Sequence, residues 1–378
     1  MSDKGQPLSH TLAARMQLGL LGTANTIAHS VRVGRGIAEK LKSGGMIRRV
    51  SPKPKDPLRL SAVCATGKRS EAFGGYLYLA VAVRRDISIH DGQVGYGTED
   101  SVCEIDMLPY GDIQKRMGLK QYEMLYRLLR RILAEPTSPD ILLIDRTLLL
   151  PREFANSEDP QVQREYQGVA KTANEFWTEV SDQLFPTATG GVIVVGYPQV
   201  KRMGEPLGSI ANDRSDALID KVALESILDA LGRGKPLDDA AAARIMGTII
   251  WPEQRSAAFT YSGLSMDTRI EPSVLHQNLD IASFHYRAGL RSAPQQVEVA
   301  GGRAWTSDGL DRLAEKLIEA TPFDQTDAVP LPLWLGRKDF DRMGGDQILE
   351  QYQRNVFHVL RSGELDKAWL RGWEPDGE

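Results

Sequence analysis

Residues 140–151 read DILLIDRTLLLP. An unbroken apolar run, Ile141 to Ile144, leads straight into an acid, Asp145, and Pro151 closes the stretch. A short apolar run between breakers predicts a strand buried on both faces, as in parallel sheets. Upstream, GLKQYEMLYRLLRRILAEP (118–136) places Tyr122, Leu125, Leu128, Leu129 and Ile132 on one face of a helix that Pro136 stops. Downstream, a helix is expected over Val162–Leu184, followed by the apolar strand GGVIVVGYPQVKR (190–202). A helix over Ala217–Leu231 comes next, and IMGTIIW (245–251) continues the strand series. Strands alternating with helices in this way argue for an α/β fold with parallel pairing.

The chain ahead of this core has a different texture. LRLSAVCATG (58–67), GGYLYLAVAVRR (74–85), ISIHDG (87–92) and VCEIDML (102–108) are closely spaced β-forming runs bounded by small-residue turns. They predict an antiparallel meander. A meander followed by βα units is the order of a ribonuclease-H-like mixed sheet. Residues Leu8–Leu41 read as helical, with Leu12, Met16, Leu18, Ile27, Val31, Ile37 and Leu41 near helical spacing. The breakers SGGM and SPKPKDP then divide the chain into an N-terminal helical segment, 1–50, and a main domain, 51–378. Late in the chain, Ile281–Val299 predicts a hairpin with RSAPQ as its turn. Leu310–Ala320 predicts an amphipathic helix, and VPLPLWL (329–335) leads to a polar helix near Gly345–Leu360.

Composition narrows the function classes. The chain has 378 residues, 42% hydrophobic and 25% charged, as an ordinary globular protein does. No apolar run reaches the roughly 18 to 20 residues of a spanning helix, and the first residues lack a signal-peptide pattern, so no membrane and a cytoplasmic location are expected. Two cysteines, Cys64 and Cys103, cannot build a disulfide framework or a structural zinc site, and both read as buried small hydrophobes. The net charge of −4 leaves any nucleic-acid binding to local basic clusters such as Arg84-Arg85, Arg130-Arg131 and Lys201-Arg202. No phosphate-loop, HExxH or dinucleotide-binding pattern is present, and YSGLS at Tyr261 has no evident base beside its serine.

The ordered set of elements resembles the NurA family of DNA-end-processing nucleases. AVCATGKRSEAFGGYLYLAVAV (62–83) resembles that family's first element, and DILLIDRTLLLP its second aspartate motif. GGVIVVGYPQVKR resembles the strand with a downstream lysine, and ALIDKVALESILDALGRG (217–234) the following helix. FHYRAGLRSAPQQVEV (284–299) and VPLPLWLGRKDF (329–340) resemble the late hairpin and terminal segment. The likeness spans about Leu58 to Phe340. It implies a NurA-like, ribonuclease-H-like mixed sheet with flanking helices and two-metal hydrolysis of DNA. In such chemistry, ions about 3.5 to 4 Å apart polarise the phosphate and activate water.

On that resemblance Asp145 and Glu123 are the metal ligands, for Mn2+ or Mg2+, with Glu104 a rival to Glu123. Lys201 and Asp220 complete the catalytic set. Lys68, Arg69, Arg146, Arg202 and Arg337 are the expected DNA contacts. A homodimer beside a hexameric HerA-type ATPase, in DNA repair or anti-phage defence, is the implied assembly. The residues themselves add one constraint. An acid inside ILLIDRTLLL costs several kcal/mol unless it pairs with Arg146 or another base, or binds metal.

The sequence departs from the family pattern at three places. Cys64-Ala65-Thr66 stands where the first Asp-Gly-Ser is expected, Arg146-Thr147 follows Asp145 in place of Gly-Ser, and Gly336-Arg337 replaces an Ala-His pair. Cysteine is a poor host for hard cations. These departures support an alternative, a catalytically degenerate DNA-binding or scaffold subunit on the same fold. A third possibility is an unrelated α/β protein whose strand ends, with Asp145 and Lys201, line a small-molecule pocket.

Overall fold

The computed structural model describes residues 8–43, 45–50, 57–148, 150–180, 191–198, 239–260, 281–301, 305–322 and 328–363. Its strands are β1 (Ile47–Arg49), β2 (Leu58–Ala72), β3 (Gly75–His90), β4 (Gln93–Pro109), β5 (Ile141–Ile144), β6 (Ile193–Gly196), β7 (Gln254–Ser256), β8 (Phe259–Thr260), β9 (Ile281–Arg287) and β10 (Gln295–Ala300). Its helices are α1 (Leu8–Ser43), α2 (Ile113–Leu133), α3 (Arg152–Ala155), α4 (Pro160–Val180), α5 (Asp239–Ile249), α6 (Ser307–Glu319), α7 (Leu331–Met343) and α8 (Gly345–Arg361).

The expected meander is present as three long antiparallel strands, β2, β3 and β4. Its turns, Phe73-Gly74 and Asp91-Gly92, hold both residues at positive φ, the geometry that two-residue hairpins require. The runs 74–85 and 87–92 form one strand rather than two. A register shift between Arg85 and Ile87, opposite β4, absorbs the break between them. β5 then pairs parallel to β2, and β6 parallel to β5. The order β4-β3-β2-β5-β6 is that of the ribonuclease-H-like mixed sheet expected as the fold class; the strand order itself comes from the structure. β10, β9, β7 and β1 extend the sheet antiparallel from β6, and β8 pairs with β9.

The centre of the sheet is buried on both faces. One core packs α2, α3 and α4 against Val63, Ala80, Leu142 and Ile144. The other packs α6, α7 and α8 against Cys64, Val81, Leu143 and Val299. Alternation along each strand therefore decides which helices a side chain meets.

Two sequence readings need correction. IMGTIIW is not a strand: it lies over the end of α5 and the residues just after it. The DAAAAR start has strong helix propensity, and Ile245, Met246 and Ile249 recur at helical spacing, all buried. Cys103 is exposed, because β4 is an edge strand; only Cys64 is buried. The helix expected at Ala217–Leu231 lies outside the described residues.

α1 forms as expected and seats Ser30, Gly34, Ala38 and Leu41, with α5 as its main partner. A Cβ at Gly34 would lie 2.8 Å from Thr248. Leu12, Met16 and Ile27 are exposed. β1, within the segment 1–50, joins the sheet edge through β7. Among the described residues, no helix is long and apolar enough to cross a membrane.

Candidate functional site

The carboxyl ends of the parallel strands β5 and β6 open onto a crevice, the usual location of ligand sites in α/β sheets. The backbone holds this edge tightly. The Asp145 N–H donates to Val63 O at 3.0 Å, and the Tyr197 N–H donates to Ile144 O at 2.7 Å. Gly196 makes the turn after β5 possible, since a Cβ there would lie 2.8 Å from both Arg146 O and Leu148 Cγ.

Asp145 follows Ile141 and Leu143 onto the face covered by α7, and is 2% exposed. The Arg337 guanidinium closes on it there. Arg337 Nε lies 3.1 and 3.2 Å from the two carboxylate oxygens, and Nη2 also donates to Oδ1. The base that balances Asp145 is thus Arg337 rather than its chain neighbour. Arg146 turns the other way: it donates to Ala65 O at 3.2 Å and to Gln121, and lies 5.2 Å over the Tyr122 ring.

α7 is pinned so that Arg337 reaches the strand end. Leu333 is fully buried one turn earlier. Arg85 Nη2 donates to Asp339 Oδ1 at 2.7 Å, with Nε on the other oxygen. Gly336 rests on β2, where a Cβ would meet Cys64 Sγ at 2.7 Å. Burial pushes the Cys64 thiol well above its ordinary pKa, and the nearby Asp145 charge adds to this. The neutral thiol donates to Leu333 O at 3.6 Å.

A cavity of about 350 Å3 lies beside the pair, lined by Ala65, Thr66, Tyr197, Gln295 and Asp341 among others. A second, of about 310 Å3, shares Thr66, Phe340 and Asp341 with it and reaches Lys68. Together they line a trough between β2 and the α7–α8 turn. Tyr197 and Tyr286 join hydroxyls at 2.9 Å behind the first cavity, and burial raises both pKa values.

The expected site residues are only partly assembled here. Lys68 lies on the trough, exposed, with Asp346 Oδ2 at 3.0 Å. Arg69 is 5.8 Å over the Tyr76 ring. Lys201, Arg202 and Asp220 lie outside the described residues. Glu123 is not brought to Asp145. It sits on α2, across the sheet, with Lys120 Nζ at 3.3 Å and an ion pair to Arg127. Its rival Glu104 shares the same Lys120, at 2.8 Å. With β2 and β3 between β5 and β4, Asp145 and Glu104 lie roughly three strand spacings, about 14 Å, apart laterally.

The residues present do not fit the divalent ion that the resemblance implies. Hard cations take several carboxylate or carbonyl oxygens. Asp145 offers one carboxylate, with both oxygens against a guanidinium; Cys64 is a neutral, soft neighbour; Asp339 is committed to Arg85. Among the described residues, no three His, Cys, Asp or Glu side chains converge in a metal-holding group.

Sequence reading missed Glu298, whose place in QQVEVA looks solvent-facing. β10 is an interior strand, so Glu298 is fully buried and accepts the Leu148 N–H at 2.7 Å, bracing the loop after Asp145. Asp339 was also missed, and Gly336 was read only as a departure from the family pattern. Their signal was the i, i+3, i+6 spacing from Leu333, which only a helix at that place makes meaningful.

This is a charged crevice on a ribonuclease-H-like sheet. The chain has a NurA-like fold. It is similar to the NurA nuclease of Sulfolobus solfataricus, at a TM-score of 0.56 and 12% identity, over 95% of this chain and 98% of that one. A second NurA structure matches at 0.44 and 9%, covering 95% and 99%, and one with manganese at 0.41 and 8%, covering 93% and 98%. No protein-family model and no curated protein matches the sequence.

Proposed function

We propose that this chain is a NurA-like DNA-processing subunit that binds DNA along the trough beside Asp145 and does not itself cut it. It works as a homodimer with a HerA-type hexameric ATPase, in DNA repair or anti-phage defence. The observation that carries the non-cutting role is the Arg337 guanidinium on Asp145, which occupies the acid buried at the end of β5. Lys68 on the trough wall, with Arg337 at its inner end, gives DNA phosphates local positive partners despite the net charge of −4.

The test is binding and degradation of end-labelled linear DNA by the full chain, with and without its ATPase. Binding that survives chelation of divalent ions, with no loss of label in manganese, is the expected result. Manganese-dependent loss of label that disappears in Asp145→Ala would overturn the non-cutting role. Absence of DNA binding, alone and with the ATPase, would overturn the DNA-processing reading.

A second reading is an active metal-dependent deoxyribonuclease. It is favoured by the position of Asp145, at the carboxyl end of a central buried strand and open to a cavity on this fold. The same degradation assay separates the two.

A further inference from the structure

The mismatch between this site and a metal ion involves three neighbouring residues that fit one another. β2 presents Cys64, not a second carboxylate, and its thiol is neutral and turned to Leu333 O. α7 presents Arg337, whose charge balances Asp145 one for one. Between them Gly336 lets α7 settle onto the Cys64 sulfur, which any larger residue would obstruct. That close approach brings the Arg337 stem down to the strand end. A second acid at position 64 would leave one negative charge unbalanced, and a Cβ at position 336 would lift the guanidinium away.

We propose that Arg337 is a built-in replacement for a bound cation at Asp145. The guanidinium takes the seat on the carboxylate, and the pocket does not bind divalent metal while the arginine is there. A guanidinium is permanently charged and presents several donors in one plane, so it can occupy a carboxylate at any physiological pH and metal concentration. A divalent ion entering beside it would meet like charge in a partly buried crevice, where screening by solvent is weak. Removing the arginine should turn the same carboxylate into a weak cation site, with Thr66 and Asp341 as neighbouring oxygens in the cavity.

The proposal rests on the NurA-like reading of the crevice, yet its test needs no DNA, so the two can fail separately. Manganese is titrated into the full chain and binding followed by the loss of the free-ion paramagnetic resonance signal. Wild type is compared with Asp145→Asn, Arg337→Ala and the Arg337→Ala/Asp145→Asn double variant. Wild type and Asp145→Asn should superpose, since any manganese bound elsewhere is common to both. Arg337→Ala should gain one ion per chain, and the double variant should lose it, with affinity down by on the order of tenfold or more. A wild-type ion that Asp145→Asn removes would overturn the proposal, as would Arg337→Ala gaining none. If Arg337→Ala does not fold, Arg337→Gln keeps most of the stem and serves in its place. The comparison of wild type with Asp145→Asn still decides whether the native pocket takes metal.

Discussion

Two charge clusters on opposite faces of the sheet, one at the end of β5 and one between α2 and β4, are built differently. At the end of β5, on the α7 side, Asp145 is closed off by a single base, Arg337. On the α2 face Glu104 and Glu123 share Lys120 and Arg127, and Glu104 also accepts from the Tyr78 hydroxyl. Four charges and a phenol at the margin of water form a network in which any member has a substitute. At the strand end there is none. The lesson concerns redundancy: the larger cluster is the more tolerant one, and the lone pair is where a change has consequences.

The largest effect should come from breaking the lone pair. Arg337→Ala leaves a buried carboxylate without its cation, a change that costs about 3 to 5 kcal/mol in buried pairs. Arg337 is 32% exposed, so water offsets part of this and about 3 kcal/mol is expected, read from urea denaturation. Adding Asp145→Asn should restore most of the loss. A cost below about 1 kcal/mol would mean that the pair is as well solvated as the α2-face cluster.

Acid sharpens the contrast, because the α2 side of the sheet also carries His285, fully buried on β9. Burial pushes its pKa down to about 3. A base with a depressed folded-state pKa stays neutral when native, while the unfolded chain takes up the proton below about 6.5. The stability it contributes is therefore complete above 6.5 and falls as pH drops toward 3. The loss between pH 7 and pH 5 should be about 2 kcal/mol, and His285→Gln should flatten that slope. Lys120, Tyr78 and Arg127 lower the pKa of Glu104, whose burial opposes them, so its contribution is present above 4.5 and declines only below that. An unchanged slope in His285→Gln would remove His285 as the source.

Much of this architecture is legible in the sequence. Alternation and turn residues give the meander, and the apolar run before Asp145 gives the central parallel strand, because local pattern decides both. The site is less legible. That an acid in ILLIDRTLLL needs a partner follows from desolvation alone. That the partner is Arg337, 192 residues later, and not the adjacent Arg146, depends on where α7 crosses the sheet. Glu123 carries a helical pattern that fits a site as well as a surface, and only strand parity assigns it to the opposite face. IMGTIIW shows the reverse case, where helix propensity upstream prevails over a β-like composition.

A smaller effect should come from the contact that seats α7. Gly336→Ala puts a Cβ 2.7 Å from Cys64 Sγ, and overpacking of this kind costs about 1 to 2 kcal/mol. In a Cys64→Ala background the sulfur is gone, the nearest remaining atom is the Cβ of residue 64 at 3.3 Å, and most of that cost should disappear, with alanine's helix propensity offsetting part of the rest. The difference between the two backgrounds measures the coupling directly. Equal costs in both would mean that α7 does not rest on the thiol.

The smallest effect is expected on the redundant face. Lys120→Met removes the cation that Glu104 and Glu123 share, but Arg127 reaches both acids and the site is partly solvated. The loss should be at most about 1 kcal/mol, and high salt should shrink it by screening the two carboxylates from each other. Pairing Lys120→Met with Arg127→Met should cost more than the sum of the single changes, since each base covers for the other. Strict additivity would show that the α2-face charges act independently. The contrast with Asp145 and Arg337 would then lie in burial alone, and redundancy would have no part in it.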